Sequence, residues 1–407
     1  MLLSRRELLG AAALSAVTAG ARAQVRPKVK IGVLTDLTGP YRANTGLTSI
    51  AATKLALLDF GVSGKDYDVE VIAADHQNRP DIAVAIARQW IQQDGVDVIS
   101  DVPNSAVALA VGQFVRERDK ILLNASATTP ALTADQCSPN TIVWSFDNYS
   151  NAYSTGSAAV KAGGATWYFI TADYAFGQSL EALTMDVVQH SGGKVLGALR
   201  YPFPDTTDFT PYLQQIGATD ATVLGLANAG LDAESCIRQA KKLGLDRKMT
   251  IVPMLLFLQN VHSLGLELAQ GLLGTEAFYW NFNDRTRAFT RRLLPFSPQN
   301  YPNQAHASSY ASTLHYLKAV AAMGPAEARK SGAATVARMK AMPTEDDAFG
   351  IGSIRQDGRG SFPAYLVRVK KPSESRGPWD YYDVVTTTPA ARVLHPVDPK
   401  CRFKVGT

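Results

Sequence analysis

Short apolar runs alternate with amphipathic segments along the first third of the chain. Each run ends in polar residues, as "KVKIGVLTD" and "KILLNAS" do, and therefore predicts a buried strand. The segments between them carry apolar residues at helical spacing. In "NRPDIAVAIARQWIQQDG", Asn78 is the predicted helix cap, Pro80 lies in the first turn and Gly95 ends the helix. This alternation is typical of a parallel sheet covered by helices on both faces.

A second series of alternating strands and helices begins after Asn148 and continues through "MTIVPMLLF". Long helical segments follow it, and the last quarter of the chain contains hairpin-like strands with glycine-rich turns. We therefore expect an α/β fold of two doubly wound parallel-sheet lobes. The chain is predicted to cross between the lobes near residues 145–148 and again near 278–281.

The first residues predict an export signal instead of a part of the fold. Paired arginines, Arg5 and Arg6, precede an apolar run that is too short to span a membrane, and the A-x-A sequence at residues 21–23 marks a cleavage site. The arginine pair favours the twin-arginine route. We expect a signal peptide over residues 1–23 and a soluble periplasmic protein after its removal.

Charge and cysteine usage narrow the function classes. The formal net charge is +5 with the charges scattered, which argues against a nucleic-acid partner. The chain has 3 cysteines, Cys137, Cys236 and Cys401. Cys236 lies on the apolar face of a predicted helix and is expected to be a buried free thiol. A bridge between Cys137 and Cys401 is the expected pairing. No close Cys/His spacing predicts a metal site, and no cofactor is expected.

The sequence lacks the motifs that identify several common classes of enzyme. No G-x-G-x-x-G follows the first strand, and neither a phosphate-binding G-x-x-x-x-G-K-[ST] loop nor a G-x-S-x-G nucleophile elbow occurs. The histidines are scattered, and His76 needs no catalytic role. We predict no catalytic residues and no enzymatic activity.

The loops after the predicted strands are the informative places, because ligands of open parallel sheets bind at the carboxyl ends of strands. "SDVPNSAV" and "LLNASATTPALT" are rich in Asn, Ser and Thr, and Asn104, Ser105, Ser126 and Thr128 could hold a small anion together with helix N-termini. Arg42 is the one strong cation in these loops. The alternative is that such residues only cap their helices.

Four segments together resemble the branched-chain amino acid type of periplasmic binding protein, the type I fold that delivers ligands to ABC importers. They are "KIGVLTDLTGPY", "ADHQNRPDIAVAIARQWIQQDGVDVI", "NASATTPALT" and "ADYAFGQSL". The resemblance implies two lobes joined by a three-segment hinge and no catalysis. The predicted domains are residues 1–23 as signal peptide, 24–146 with 279–358 as the N-terminal lobe, 147–278 with 359–390 as the C-terminal lobe, and 391–407 as a tail.

The resemblance also implies site residues. It places the ligand carboxylate on Asn104, Ser105, Ser126 and Thr128, and an aromatic lid on Phe176 with Tyr174 beside it. Amino acid binders of the family carry an acid after the strand that matches "MTIVP", whereas Met254 stands here and residues 254–258 contain no acid. A buried ammonium without a partner would be unfavourable. Three further residues complete the predicted site, Tyr41, Arg42 and Asn228, and Met254, Leu255 and Phe257 extend its expected apolar wall.

The sequence therefore predicts a solute-binding protein for a small carboxylate with an apolar, aromatic body, similar to the aromatic-acid-binding members of the family. The expected partners are this small molecule and an ABC-type membrane permease, and the protein is expected to be a monomer. Two alternatives stay open: an amino acid or amide ligand, and a sensor module that reports its ligand to a receptor.

Overall fold

Two parallel sheets follow one another along the chain in the computed structural model, which describes residues 26–297 and 299–401. The predicted signal peptide, residues 1–23, lies outside the described residues. In chain order the strands are β1 (Lys28–Thr35), β2 (Asp68–Asp75), β3 (Val98–Asp101), β4 (Ile121–Asn124), β5 (Thr141–Val143), β6 (Thr166–Ala172), β7 (Lys194–Tyr201), β8 (Val223–Ala227), β9 (Thr250–Pro253), β10 (Leu273–Glu276), β11 (Thr344–Asp346), β12 (Gly350–Ile354), β13 (Gly360–Ser361), β14 (Ala364–Val369) and β15 (Tyr382–Thr388).

The helices alternate with these strands through both sheets. In chain order they are α1 (Gly46–Phe60), α2 (Pro80–Gln89), α3 (Ser105–Glu117), α4 (Asn148–Asn151), α5 (Ser157–Lys161), α6 (Ala175–His190), α7 (Thr210–Gly217), α8 (Leu231–Lys242), α9 (Leu258–Leu264), α10 (Leu266–Ala269), α11 (Asp284–Leu293), α12 (Gln304–Met323), α13 (Pro325–Lys330), α14 (Gly332–Lys340) and α15 (Ala390–Val393). None of the helices within the described ranges is long and apolar enough to cross a membrane.

The first sheet has the order β2-β1-β3-β4-β5, and all of its strands are parallel. The runs that form β3 and β4 are buried at every position, as expected for strands covered on both faces. The long helix α12 returns to this sheet late in the chain and packs against α1 through small residues such as Ala52 and Ala311. We call this sheet and its helices the first lobe.

The second sheet has the order β7-β6-β8-β9, and its strands are also parallel. A three-stranded antiparallel sheet, β10-β14-β15, packs beside it, and the small sheet β11-β12-β13 belongs with the first lobe. We call the second sheet, with the antiparallel sheet and the helices packed on them, the second lobe. The predicted α/β fold with two parallel-sheet lobes is confirmed, whereas the residue boundaries assigned to the lobes stay predictions.

A buried ion pair joins two of the segments that run between the lobes. Arg359 Nε donates to Asp147 Oδ2 at 2.9 Å, and the two side chains are 0% and 1% exposed. Arg359 also donates to the Gly360 carbonyl at 3.0 Å. Burial would raise the pKa of Asp147, but electrostatic interactions, first with the Arg359 guanidinium and then with His395, hold that pKa below its usual value. The pair therefore fixes the first connection between the lobes to the last.

The end of the chain is tied to the first lobe. A disulfide joins Cys137 to Cys401, with 5.8 Å between their Cα atoms, and Cys236 is a buried free thiol. His395 Nε2 lies 2.9 Å from Thr133 Oγ1 in the loop after β4. We call residues 389–401, which run from the end of β15 to the disulfide, the C-terminal strap.

Asn78 does not cap α2. The residue before this helix is Arg79, whose side chain makes no capping hydrogen bond. Asn78 instead adopts a left-handed backbone with φ of 56° and donates from Nδ2 to Asp36 Oδ2 at 2.8 Å. The prediction was wrong because a partner 42 residues away competes successfully for this amide.

Candidate functional site

A cavity lies between the carboxyl ends of the strands of the two sheets. It encloses about 300 Å³ of space free of protein atoms, part of it open to solvent. The first lobe contributes the more polar wall, formed by Tyr41, Asn44, Thr45, Pro103, Ser126 and Thr128.

The loop after β4 contributes two hydroxyl-bearing residues to the wall of this cavity. Asn124 holds the loop in a tight turn, since its Nδ2 donates to the Ala127 carbonyl at 2.7 Å and its Oδ1 accepts from Ala127 N at 3.1 Å. Ser126 and Thr128 flank Ala127 and both line the cavity. The small side chains of this loop thus serve a turn that leaves room beside the strand end.

The two hydroxyls have different partners. Ser126 Oγ donates to Asp101 Oδ1 at 2.6 Å, and both residues are buried. Burial raises the pKa of Asp101 to about 6, although the hydrogen bond from Ser126 acts in the opposite direction. The Thr128 side chain makes no hydrogen bond within the described part of the chain, so its hydroxyl is available to a ligand.

The position of Tyr41 is set by a buried carboxylate. Asp36, which follows β1, accepts from Gly39 N at 2.6 Å and from Tyr41 N at 2.8 Å. The same carboxylate also accepts from Asn78. This network fixes the loop after β1 and directs the Tyr41 ring toward the second lobe.

The second lobe contributes an apolar and aromatic wall. Its lining residues are Tyr174, Phe176, Ala229, Leu255 and Phe257. The Tyr174 ring stacks on Phe203 with 4.4 Å between centroids, and its hydroxyl lies 2.5 Å from the hydroxyl of Tyr41 in the opposite lobe. Burial raises the pKa of both tyrosines, so both hydroxyls are neutral at ordinary pH.

Five of the predicted site residues lie outside the cavity lining. Asn104 accepts from Ala106 N and Val107 N as the cap of α3. Ser105 Oγ is buried without a hydrogen-bond partner. Asn228 donates to the Cys236 thiol at 3.3 Å, and Met254 is buried in the core. The exposed Arg42 donates to the Gly39 carbonyl at 3.0 Å.

These placements differ from the predicted site in three ways. The capping alternative holds for Asn104, because both of its bonded N–H groups belong to its own helix. Met254 is buried in the core, whereas the next residue, Leu255, lines the cavity. Arg42 supplies no charge to the cavity because its side chain returns to its own loop.

Four lining residues were not predicted: Asn44, Thr45, Pro103 and Ala229. Asn44 Nδ2 donates across the cleft to Asn260 Oδ1 at 3.2 Å. In the sequence, the only signal for Asn44 and Thr45 was a cluster of polar residues in the first strand's loop. The pairing of Asn44 with the second lobe depends on a residue more than 200 positions away, which local patterns do not reveal.

None of the described residues that line the cavity is a cation, but an acid lies behind it. Asp232, in the first turn of α8, accepts from the Tyr201 hydroxyl at 2.7 Å, and burial raises its pKa to about 7. Burial and the neighbouring Tyr174 have the largest effects on the pKa of Tyr41, which is raised, and the charge of Asp232 raises it further. Residues 254–258 contain no acid, so Asp232 is the acid of the second lobe that acts on this wall.

The described residues contain no group of His, Cys, Asp or Glu side chains able to hold a metal ion. His76 is buried, and its Nδ1 accepts from Asn78 N at 2.9 Å. Burial lowers the pKa of His76 to about 4, and the neighbouring Asp36 and Asp75 only partly oppose this. His76 is thus a neutral structural residue beneath the site.

Comparisons with known proteins agree with this fold. The family model described as periplasmic binding protein matches residues 28–377. A periplasmic binding protein from Burkholderia mallei is 42% identical, with a TM-score of 0.85 over 90% of this chain and 96% of that one. A branched chain amino acid ABC transporter periplasmic ligand-binding protein from Burkholderia xenovorans is 34% identical, with a TM-score of 0.77 over 90% and 97%.

A more distant structure shares the fold alone. The solute binding protein of an ABC transporter from R. palustris, solved in complex with benzoate, is 19% identical, with a TM-score of 0.78 over 89% of this chain and 97% of that one. These relatives are substrate-binding proteins of ABC transporters and not enzymes. The length of the family match and the identity to the Burkholderia proteins both exceed what a shared fold requires. The chain belongs to the periplasmic binding protein family, in its branched-chain amino acid ABC transporter group.

Proposed function

We propose that this protein captures a small carboxylate with an apolar, aromatic body outside the cytoplasm and delivers it to an ABC importer. The observation that carries the proposal is the division of the cavity into two walls. Ser126 and Thr128 present hydroxyls on one side, and Phe176, Leu255 and Phe257 present apolar surface on the other. A ring carrying one carboxylate matches both walls.

The benzoate complex of the R. palustris neighbour supports this class of ligand. The Thr128 hydroxyl is free to donate to a carboxylate oxygen, and aromatic side chains favour a ring in stacked or edge-on contact. We further propose that the protein is periplasmic after removal of residues 1–23, acts as a monomer, and presents both lobes to its permease.

Calorimetry and thermal unfolding of the purified chain from residue 24 onward test the proposal. Benzoate and 4-hydroxybenzoate should bind and raise the melting temperature by mass action, whereas leucine and phenylalanine should not. Cyclohexanecarboxylate, which keeps the charge and the ring size, separates aromatic from merely apolar recognition. Binding of the amino acids alone would contradict the proposal.

Asp232 supports one alternative, an amino acid ligand. Its carboxylate acts electrostatically on Tyr41 and Tyr174, two residues of the cavity wall. An ammonium near these hydroxyls would gain from that negative charge. The Asp232→Asn variant distinguishes the two ligand classes: it should weaken leucine or phenylalanine binding at least tenfold if the ligand is an amino acid, and leave benzoate binding nearly unchanged if it is not.

A further inference from the structure

The hydroxyl of Ser126 lies between the cavity and a buried acid. On one side Ser126 lines the cavity, and on the other its Oγ is 2.6 Å from Asp101 Oδ1. A serine hydroxyl has a single proton to donate. While Asp101 is ionised, that proton points to Asp101, and Ser126 offers only lone pairs to the cavity.

The backbone at Asp101 is strained in a way that places its carboxyl group beneath the site. Asp101 and Val102 have φ values of 77° and 61°, a region that a β-branched residue such as Val102 rarely adopts. Strain of this kind persists only where the surrounding structure imposes it. Asp101 Oδ2 is buried without a hydrogen-bond partner, an arrangement that favours a neutral carboxyl group.

The charges around Asp101 do not balance an ionised carboxylate. Burial is the largest influence on Asp101 and raises its pKa, as does the like charge of Asp36, which follows β1. The hydroxyls of Thr35 on β1 and Ser49 on α1 act in the opposite direction and lower that pKa. Among the described residues, no Lys, Arg or His forms an ion pair with Asp101.

Two histidines lie on neighbouring elements and stay neutral. His306, at the start of α12, has its Nε2 3.2 Å from the Thr45 carbonyl, and burial lowers its pKa to about 3. Burial likewise lowers the pKa of His76, which follows β2, to about 4. Neither residue can therefore neutralise Asp101 or an incoming anion near neutral pH.

We propose that Asp101 is a proton-carrying positioning residue, so that this protein binds its anionic ligand together with one proton taken from solvent. The proton resides on the Asp101 carboxyl group, which donates to Ser126 Oγ, and Ser126 in turn donates to the ligand carboxylate. No covalent bond between heavy atoms changes. The inference rests on the proposed function, and it explains how a cavity without a cation accepts an anion.

The sign of the pH dependence follows from this arrangement. The pKa of Asp101 in the free protein is about 6, because burial disfavours its charge. Below that pH the acid already carries the proton, and affinity is at its maximum. Above it, each binding event must take up a proton, so affinity for benzoate should fall by about tenfold per pH unit.

Isothermal titration calorimetry with benzoate tests the proposal. Titrations at pH 7 in phosphate and in Tris, which differ in ionisation enthalpy, should reveal an uptake of about one proton per benzoate bound. The Asp101→Asn variant keeps the shape of the side chain and donates permanently from its amide. It should bind benzoate with no proton uptake and with an affinity that is constant from pH 6 to 8.

Asp346→Asn is the matched control. Asp346 is also buried, and burial raises its pKa to about 6, but it accepts from Ala348 N and Phe349 N away from the cavity. This variant should show the same proton uptake as the unmodified protein. Uptake that persists in Asp101→Asn would overturn the assignment to Asp101.

The wild-type titrations decide the matter even if Asp101→Asn does not fold. Benzoate binding with no proton uptake at pH 7 would overturn this inference and leave the proposed function intact. Absence of binding by benzoate and 4-hydroxybenzoate at every pH from 5.5 to 8 would overturn both.

Discussion

At the scale of single residues, the loop after β4 carries two hydroxyls that differ in their hydrogen bonding. The Ser126 hydroxyl donates to Asp101, whereas the Thr128 hydroxyl has no hydrogen-bond partner within the described residues. A ligand carboxylate therefore finds a donor in Thr128 whether or not Asp101 is protonated. This makes Thr128 the residue whose hydroxyl can be removed with the simplest expected result.

Thr128→Val should weaken benzoate binding by about 10- to 100-fold, because a hydrogen bond to a charged group contributes about 1.5–3 kcal/mol. The melting temperature without ligand should stay nearly the same, since the replacement keeps the shape and breaks no hydrogen bond of the protein. Thr53→Val is the matched control: Thr53 is buried, its Oγ1 has no hydrogen-bond partner, and it does not line the cavity. Equal affinities of both variants in calorimetry would show that Thr128 does not contact the ligand.

The sequence predicted residue types at the site better than their partners. It pointed to Ser126, Thr128, Tyr174 and Phe176, which do line the cavity, because strand ends and polar loops are visible in a local pattern. It could not show that Ser126 donates to Asp101, since that pair is separated by 25 residues and joined only by the sheet. Whether these residues bind the ligand stays a prediction.

At the scale of elements, the segments between the lobes depend on one buried ion pair. Asp147 begins the first connection and Arg359 belongs to the last, and neither side chain reaches solvent. Replacing one partner leaves the other charged and buried, which is far less favourable than losing a surface pair.

Arg359→Met should lower the free energy of unfolding by about 3–5 kcal/mol, because Asp147 loses the cation that compensates its burial. Urea unfolding followed by circular dichroism measures this change. Arg368→Met is the control, since the Arg368–Asp383 pair is half exposed and should contribute about 0–1 kcal/mol. A loss of similar size in the two variants would contradict a special role for the buried pair.

The order of strands and helices was predictable, because apolar runs and amphipathic segments alternate clearly in both lobes. The residues at which the elements begin and end were less predictable. Asn78 carried the residue type of a helix cap, yet Asp36 draws its side chain away from α2. The helix-capping propensity of a residue does not decide its position where a buried carboxylate on another element accepts a stronger hydrogen bond from it.

At the scale of the whole molecule, the lobes meet through the loops after β1 and β8. Leu231 N donates to the Pro40 carbonyl at 3.1 Å, and the Tyr41 and Tyr174 hydroxyls pair beside it. Gly230 adopts φ of 63°, and a Cβ atom there would lie 2.5 Å from the Pro40 oxygen. The close approach of the lobes therefore requires glycine at this position.

Gly230→Ala should keep the lobes apart and weaken benzoate binding at least tenfold, because a ligand shifts the equilibrium only by its better contacts in the closed state. Small-angle scattering should show a radius of gyration that no longer decreases when benzoate is added. Gly244→Ala is the control, since Gly244 also has a positive φ, 71°, but faces open space. Normal compaction in Gly230→Ala would contradict the role of this contact.

The C-terminal strap has a consequence for the integrity of the chain. Because Cys137 and Cys401 are bonded across 264 positions, that stretch of polypeptide forms a covalent ring. A protease that cuts once inside the ring opens it without releasing a fragment. The two pieces stay joined until the disulfide is reduced, so the loop that carries Ser126 and Thr128 keeps its attachment to both parts of a nicked protein.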